Sequence, residues 1–220
     1  MSEQNQSHSP DQESLETLRD IKRIMERSSR FLSLSGFSGI IAGICALAGA
    51  WLAKYKLEQY YSRYDERTFF DGHDFNDLKN ELLLIAGIVL VLALSLSFFF
   101  TWRKAKRSHV SIWNHTSKKL LVNMIIPLAA GGFFILAMLQ YNDWRFVAPA
   151  CLVFYGLALV NSSKYTFTDI RYLGFLEIIL GLINTQYIGY GLYFWAAGFG
   201  VLHIVYGIIM WWKYERKQTA

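Results

Sequence analysis

The chain has 220 residues, of which 53% are hydrophobic, 16% aromatic and only 18% charged, and its mean hydropathy is positive at +0.22. The charges cluster and leave long apolar runs between them, which excludes a soluble globular domain and points to a polytopic membrane protein. The net charge of +5 is no sign of nucleic-acid binding, because Lys and Arg gather on the cytoplasmic side of membrane proteins. The two cysteines, Cys45 and Cys151, sit in apolar runs and form neither a metal spacing nor a disulfide framework.

Residues 1–9 read as a disordered N-terminus. Ser9 and Gln12 then suit a capping box, with Pro10 at the first helical position. Leu18, Ile21, Met25, Ser28 and Leu32 recur at alternating spacings of three and four, which predicts a short cytoplasmic amphipathic helix over 10–30. Two readings fit it: a helix lying on the inner membrane surface, or a docking helix for a protein partner or a second copy of the chain. The first thirty residues hold no apolar core of a signal peptide, so no cleavable signal is expected and the first span serves as its own insertion signal.

Six spans follow, over 31–53, 82–101, 120–141, 144–160, 172–189 and 193–212. Their lengths of 17 to 23 residues lie close to the ~20 needed to cross the hydrocarbon core. The fifth is the most polar and could be a re-entrant segment; a full span is preferred because it leaves the basic residues on one side. With the N-terminus inside, sixteen Lys and Arg fall in cytoplasmic segments and six outside, so both termini are expected in the cytoplasm. The expected fold class is therefore all-α, a bundle of six helices in three hairpins over 31–212, with a cytoplasmic tail at 213–220.

An outer loop is expected over 54–81 and a basic inner loop over 102–118. In the outer loop, Asp71, His73, Asp74 and Asp77 could be taken for a metal site. Asp71-Gly72 is a turn signal, however, and Asp74 and Asp77 suit the N-cap and first turn of the next helix, so no metal is expected. The inner loop fits contact with anionic lipid headgroups. A weak repeat runs through the chain. "KLL" at Lys119 is echoed by "RYL" at Arg171, and Tyr155-Gly156 by Tyr206-Gly207, at offsets of 52 and 51; "RFL" at Arg30 opens the first span in the same way.

Within the fifth span, Glu177 shares a helical face with Gly174, Gly181 and Asn184. In the sixth, Ala196, Gly200, His203 and Gly207 share another. Small residues on one stripe let transmembrane helices approach closely, and polar groups there hydrogen-bond across. Span one has its own small stripe through Ser35, Gly39, Ala42, Ala46 and Gly49, and Gly39 and Gly43 form a GxxxG that can meet another span or a second subunit. Glu177 and His203 lie thirteen residues either side of Tyr190, at the middle of the turn, so an antiparallel hairpin brings them to one depth. A carboxylate at mid-membrane costs at least about 2.5–3.5 kcal/mol, and a histidine at the same level reduces that cost. Either Glu177 is packing glue, hydrogen-bonded to His203 or to Asn123 on span three, or the pair is a proton relay or ligand site.

No Gly-rich phosphate loop, CxxC or HExxH is present, and His203 is the sole histidine in the spans. No catalytic residue and no cofactor is therefore expected. The stretches "IWNHTSKKLLVNMIIPLAAGG", "FYGLALVNSSKYTFTDIRYLG" and "GYGLYFWAAGFGVLHIVYGIIM" resemble an uncharacterised family of bacterial six-helix integral membrane proteins, from about Met25 to Glu215. That resemblance implies a bacterial cytoplasmic (inner) membrane location and the topology, with no activity attached. The "LG…LG…FG…YG" rhythm of the last hairpin distantly resembles HdeD-type acid-resistance membrane proteins, which implies hairpins and a stress-related role. Two functions stay open: a non-enzymatic protein acting by protein or lipid contact, and a small proton-coupled transporter or channel using Glu177 and His203.

Overall fold

A computed structural model describes residues 36–67, 72–107 and 113–215. Its described residues are all helical or in short turns, with no strand among them. Helix α1 is Gly36–Arg67, α2 Gly72–Arg107 and α3 His115–Gln140. A single 3-10 turn, Trp144–Phe146, leads into α4, Val147–Ser162. Helix α5 is Asp169–Gln186. Helix α6 begins as Gly191–Trp195, widens to π-helix over Ala196–Leu202, returns to α-helix over His203–Met210 and ends as π-helix over Trp211–Glu215.

Five of these six helices are long and apolar enough to cross a membrane. The exception is α5, whose 18 residues carry Asp169, Arg171 and Glu177. It is also among the most covered helices: Ile170, Leu173, Gly174, Glu177, Gly181 and Asn184 are buried. By contrast the apolar stretch of α2 has no buried residue in its most hydropathic window, and its Leu84, Val91 and Leu94 are more than half exposed. Apolar side chains all round a helix that packs against so little protein suit a lipid surface.

The helices extend beyond the spans expected from hydropathy. Helix α1 continues fourteen residues past 53 and α2 starts at Gly72, so most of the stretch read as outer loop is helical. Amphipathic residues there continue the α-helical register beyond the apolar run, which a hydropathy boundary does not detect. Asp74 is accordingly in the first turn of α2 rather than its N-cap. The inner loop also shortens, because α2 runs to Arg107 and α3 begins at His115. Asn114 caps α3: its Oδ1 accepts from the Ser117 N–H at 2.7 Å and from the Ser117 hydroxyl at 2.8 Å. Ser35 and the amphipathic helix expected over 10–30 lie outside the described residues, as do residues 108–112 of the inner loop.

Two turns need special backbone. Asn142, between α3 and α4, has φ 57°, and Gly189, between α5 and α6, has φ 97°. Asn tolerates the left-handed region through local hydrogen bonding, whereas φ near 100° favours glycine. The Asn142 turn also receives α2: Lys79 Nζ donates to Asn142 Oδ1 at 2.9 Å and sits over the Phe75 and Trp144 rings at 5.2 and 5.4 Å.

Packing runs α2 on α1, α1 on α6, α6 on α4 and α5, α5 on α4, and α4 on α3. The closest crossings are made by glycines. At Gly207 of α6, a Cβ would lie 2.6 Å from Ile40 N and 2.7 Å from Gly36 O, so backbone packs on backbone between α6 and α1. At Gly156 of α4 and Gly174 of α5, a Cβ would lie 2.6 and 2.8 Å from the other's carbonyl oxygen. Only residues without a side chain permit such approach. A small apolar core of Leu159, Phe167, Ile170, Leu173 and Met210 closes one end of α4, α5 and α6, with Tyr155, Tyr206 and Tyr214 packed against it.

Candidate functional site

The α5–α6 turn at Gly189 sends α6 back along α5, and the equal spacing of Glu177 and His203 about that turn brings them together. His203 Nδ1 is 3.5 Å from Glu177 Oε1. Glu177 is 0% exposed and His203 is buried. A third residue completes the cluster: the Tyr155 hydroxyl of α4 is 2.7 Å from His203 Nε2. The Tyr155, Phe199 and His203 rings also pack together, with centroids 5.0 to 5.9 Å apart.

Protons can be placed from these partners. His203 Nδ1 is 3.0 Å from the Gly198 carbonyl oxygen, which can only accept, so Nδ1 carries a proton. In the neutral ring Nε2 then accepts from the Tyr155 hydroxyl; in the imidazolium it would donate to that oxygen instead. Glu177 Oε1 and Oε2 are both buried without a hydrogen-bond partner. Neutral acid with neutral imidazole, and carboxylate with imidazolium, are both net neutral. Gain or loss of a proton leaves an uncompensated charge among apolar side chains.

Gly198 makes the space for the carboxyl group. A Cβ there would lie 2.5 Å from Glu177 Oε2 and 2.5 Å from Leu152 Cδ2. The same residue supplies the carbonyl that holds the His203 ring, and it lies inside the π-helical stretch. A π turn takes more residues than an α turn, so residues after it fall behind the α-helical phase. That shift falls between Gly200, which faces Leu47 of α1, and His203, whose ring faces Tyr155 and Glu177.

The other expected site residues divide in the same way. Gly39 and Gly43 meet α6, where a Cβ on Gly43 would lie 2.6 Å from Gly200 O and one on Gly39 3.3 Å from His203 O. Gly174 and Gly181 meet α4, through Gly156 and Val160 and through Pro149 and Leu152. The glycine stripes therefore dock the last hairpin onto its neighbours and do not form the seam within it. Asn123 is not a partner of Glu177: its amide donates to Lys119 O at 2.8 Å, and its own carbonyl accepts from Asn161 at 2.8 Å. Its side chain satisfies itself within α3. Asn184 is buried on the Glu177 face two turns along, and its amide donates to Tyr187 O at 3.3 Å, closing the end of α5.

A second polar cluster joins the start of α5 to the end of α6. Lys213 Nζ donates to both Asp169 oxygens at 2.9 Å, and the Tyr214 hydroxyl donates to Oδ2 at 2.6 Å. Partial burial pushes the Asp169 carboxyl up, and the hydrogen bonds from Lys213 and Tyr214 outweigh it, leaving it below the usual carboxylate range.

Sequence reasoning missed Tyr155 and Gly198 as members of the site. Tyr155 was visible as a repeat element, matched by Tyr206, and a tyrosine in a span is a ready partner for a buried histidine. Gly198 carried no distinguishing signal, since its role depends on the π register. Among the described residues no group of three His, Cys, Asp or Glu converges as metal ligands would. No protein-family model, curated protein or solved structure matches the chain.

Proposed function

We propose that the protein is an integral membrane protein of six spans, in three hairpins, with both termini cytoplasmic, which acts without catalysis through contact with protein or lipid. The sixteen-to-six division of basic residues supports the orientation. The 18 residues of α5 make it about 27 Å long, enough for the hydrocarbon core, which supports counting it as a span. Contact sites on this reading are the segment at 10–30 and the basic inner segment facing anionic headgroups. A bacterial cytoplasmic membrane location, and membership of the six-helix family with its HdeD-like last hairpin, belong to the same proposal and rest on the resemblances above.

One observation carries the choice between contact and transport. The Glu177 carboxyl group is fully enclosed, packed by Gly198 and Leu152 with His203 beside it, and offers a substrate no seat. The cluster acts on this reading as a polar lock that fixes α4, α5 and α6 in one arrangement. The competing reading, a proton-coupled transporter, draws its support from the Glu177–His203 pair itself. Purified protein in liposomes with an internal pH dye tests both. Under an imposed pH gradient, wild type and Glu177→Gln are expected to leak equally and no faster than empty liposomes. Faster collapse in wild type, lost in the variant, overturns the contact reading.

A further inference from the structure

Several helix ends meet where α1 enters the bundle. At Gly36 a Cβ would lie 2.5 Å from Trp211 N, so the start of α1 abuts the end of α6. Two residues on, Ser38 O accepts from the Ser97 hydroxyl at 3.2 Å, which places the last turns of α2 beside it. Helix α3 begins at His115, soon after α2 ends at Arg107, and Asn161 near the end of α4 donates to Asn123 O at 2.8 Å. Among the described side chains this end carries nine Lys and Arg: four closing α2, two opening α3, and three around the α4–α5 link and the end of α6. It carries one acid, Asp169, already held by Lys213 and Tyr214. Arg103, Lys106, Arg107, Lys118 and Lys119 are exposed, and none has a carboxylate within ion-pair distance among the described residues. Like charges so gathered repel one another and sustain a positive potential that favours an anionic partner.

The chain carries such a partner ahead of α1. Residues 11–20 hold four acids, Asp11, Glu13, Glu16 and Asp20, against Arg19 alone, whereas 21–30 hold four basic residues against Glu26. In the helix expected over 10–30, Glu13, Glu16 and Asp20 recur at spacings of three and four and share one face, apart from Leu18, Ile21 and Met25. We propose that this acidic segment, residues 11–20, docks on the basic end of its own chain, across the end of α2 and the start of α3, in competition with anionic headgroups. The reach suffices. Asp20 is sixteen residues from Gly36, a tether of about 24 Å if helical and longer if extended, while Arg103 and Arg107 lie about 9–15 Å beyond Ser97 along α2. Tethering holds the segment at an effective concentration of about millimolar. Exposed ion pairs are individually weak and screened by salt, so the dock opens when a denser anionic surface takes the same cations. The inference rests on the contact reading and deepens it: the two contact sites named there cover each other until lipid parts them.

Zero-length carbodiimide coupling of the full-length protein, one copy per nanodisc, tests this. The reagent joins carboxylates to lysine amines in contact, and mass spectrometry identifies the joined residues. Asp169 and Lys213, 2.9 Å apart, are the internal control for reagent and fold in every sample. In phosphatidylcholine discs at about 0.05 M NaCl, Glu13, Glu16 or Asp20 is expected to couple to Lys106, Lys118 or Lys119. Coupling should fall at least about fivefold in about 0.5 M NaCl, where the screening length is about 4 Å. It should fall as far in Arg103→Gln/Arg107→Gln, which leaves every coupling lysine in place, and in discs with about 30% phosphatidylserine. Absence of these cross-links beside a normal Asp169–Lys213 product overturns the proposal. So does coupling that ignores salt and the arginine substitutions, or coupling that appears only when two copies share a disc. Coupling unchanged by phosphatidylserine overturns the competition. Failure of the contact reading is distinct, since it appears as proton flux through liposomes.

Discussion

Replacing Gly207 by Ala tests the way α1 is held. The added Cβ would lie 2.6 Å from Ile40 N and 2.7 Å from Gly36 O. Ordinary contact requires roughly 3.5 Å, and the obstructing atoms are backbone, so α1 must move away from α6 by about 0.8 Å. A gap of that size forfeits a quarter to a half of each pair's dispersion energy. If the crossing involves about 40 atom pairs, as many as one buried leucine makes, at about 0.15 kcal/mol each, the loss is about 1.5–3 kcal/mol. Alanine returns about 1 kcal/mol of helix propensity, so the net destabilisation is about 0.5–2 kcal/mol. Gly132→Ala is the control: nothing lies within 4 Å of its Cβ, so it receives the propensity gain alone. Reversible unfolding in mixed micelles, followed by loss of helical signal, measures both. The two variants should differ by about 1.5–3 kcal/mol, with Gly207→Ala the weaker. Equal stability would refute the backbone-on-backbone crossing and with it the placement of α1.

Three further outcomes are expected, each read in the same unfolding assay. Tyr155→Phe leaves His203 Nε2 buried without its 2.7 Å partner and should cost about 1–3 kcal/mol. Tyr206→Phe removes a hydroxyl with no partner and should be neutral or stabilising by up to about 1 kcal/mol; a loss like that of Tyr155→Phe would mean that this hydroxyl is bonded. Asp169 gives the acid response. Its folded pKa lies below the unfolded value, so its contribution is complete above the ordinary carboxylate pKa of about 3.9 and is lost as pH falls through the lowered value. Lys213→Gln should flatten that acid limb of the stability profile, and an unchanged limb would assign it to other carboxylates.

How far the sequence could be read depended on the kind of information each feature needs. The membrane class and the six helices follow from hydropathy, which is local. Glu177 and His203 were paired because they share one hairpin, where counting from the turn is enough to equate depths. Tyr155 belongs to a different hairpin, and no count along the chain places α4 beside α6. Asn123 failed as a partner for the same reason, and because its amide bonds to Lys119 within its own helix. The glycine stripes were legible as stripes, yet which helix each would face was not: an α-helical wheel places Gly200 and His203 together, and the π-helical stretch between them leaves Gly200 on α1 and the ring on Tyr155 and Glu177. Helix ends were the least legible, since Asn114 capping and the extension of α1 to Arg67 owe nothing to apolarity.

The crossing of α1 on α6 also bears on the order in which the molecule is made. Gly36, Gly39 and Gly43 emerge from the ribosome early, but the residues that cover them, Gly200 to Trp211, are synthesised last. Between those events the first hairpin has only its own internal packing, and the notch in α1 faces lipid or whatever guides insertion. Contacts so distant along the chain form slowly and leave intermediate surfaces open to wrong partners. A truncated chain ending before α6 should therefore expose that notch, and quality-control factors that recognise unpaired glycine grooves would meet it there.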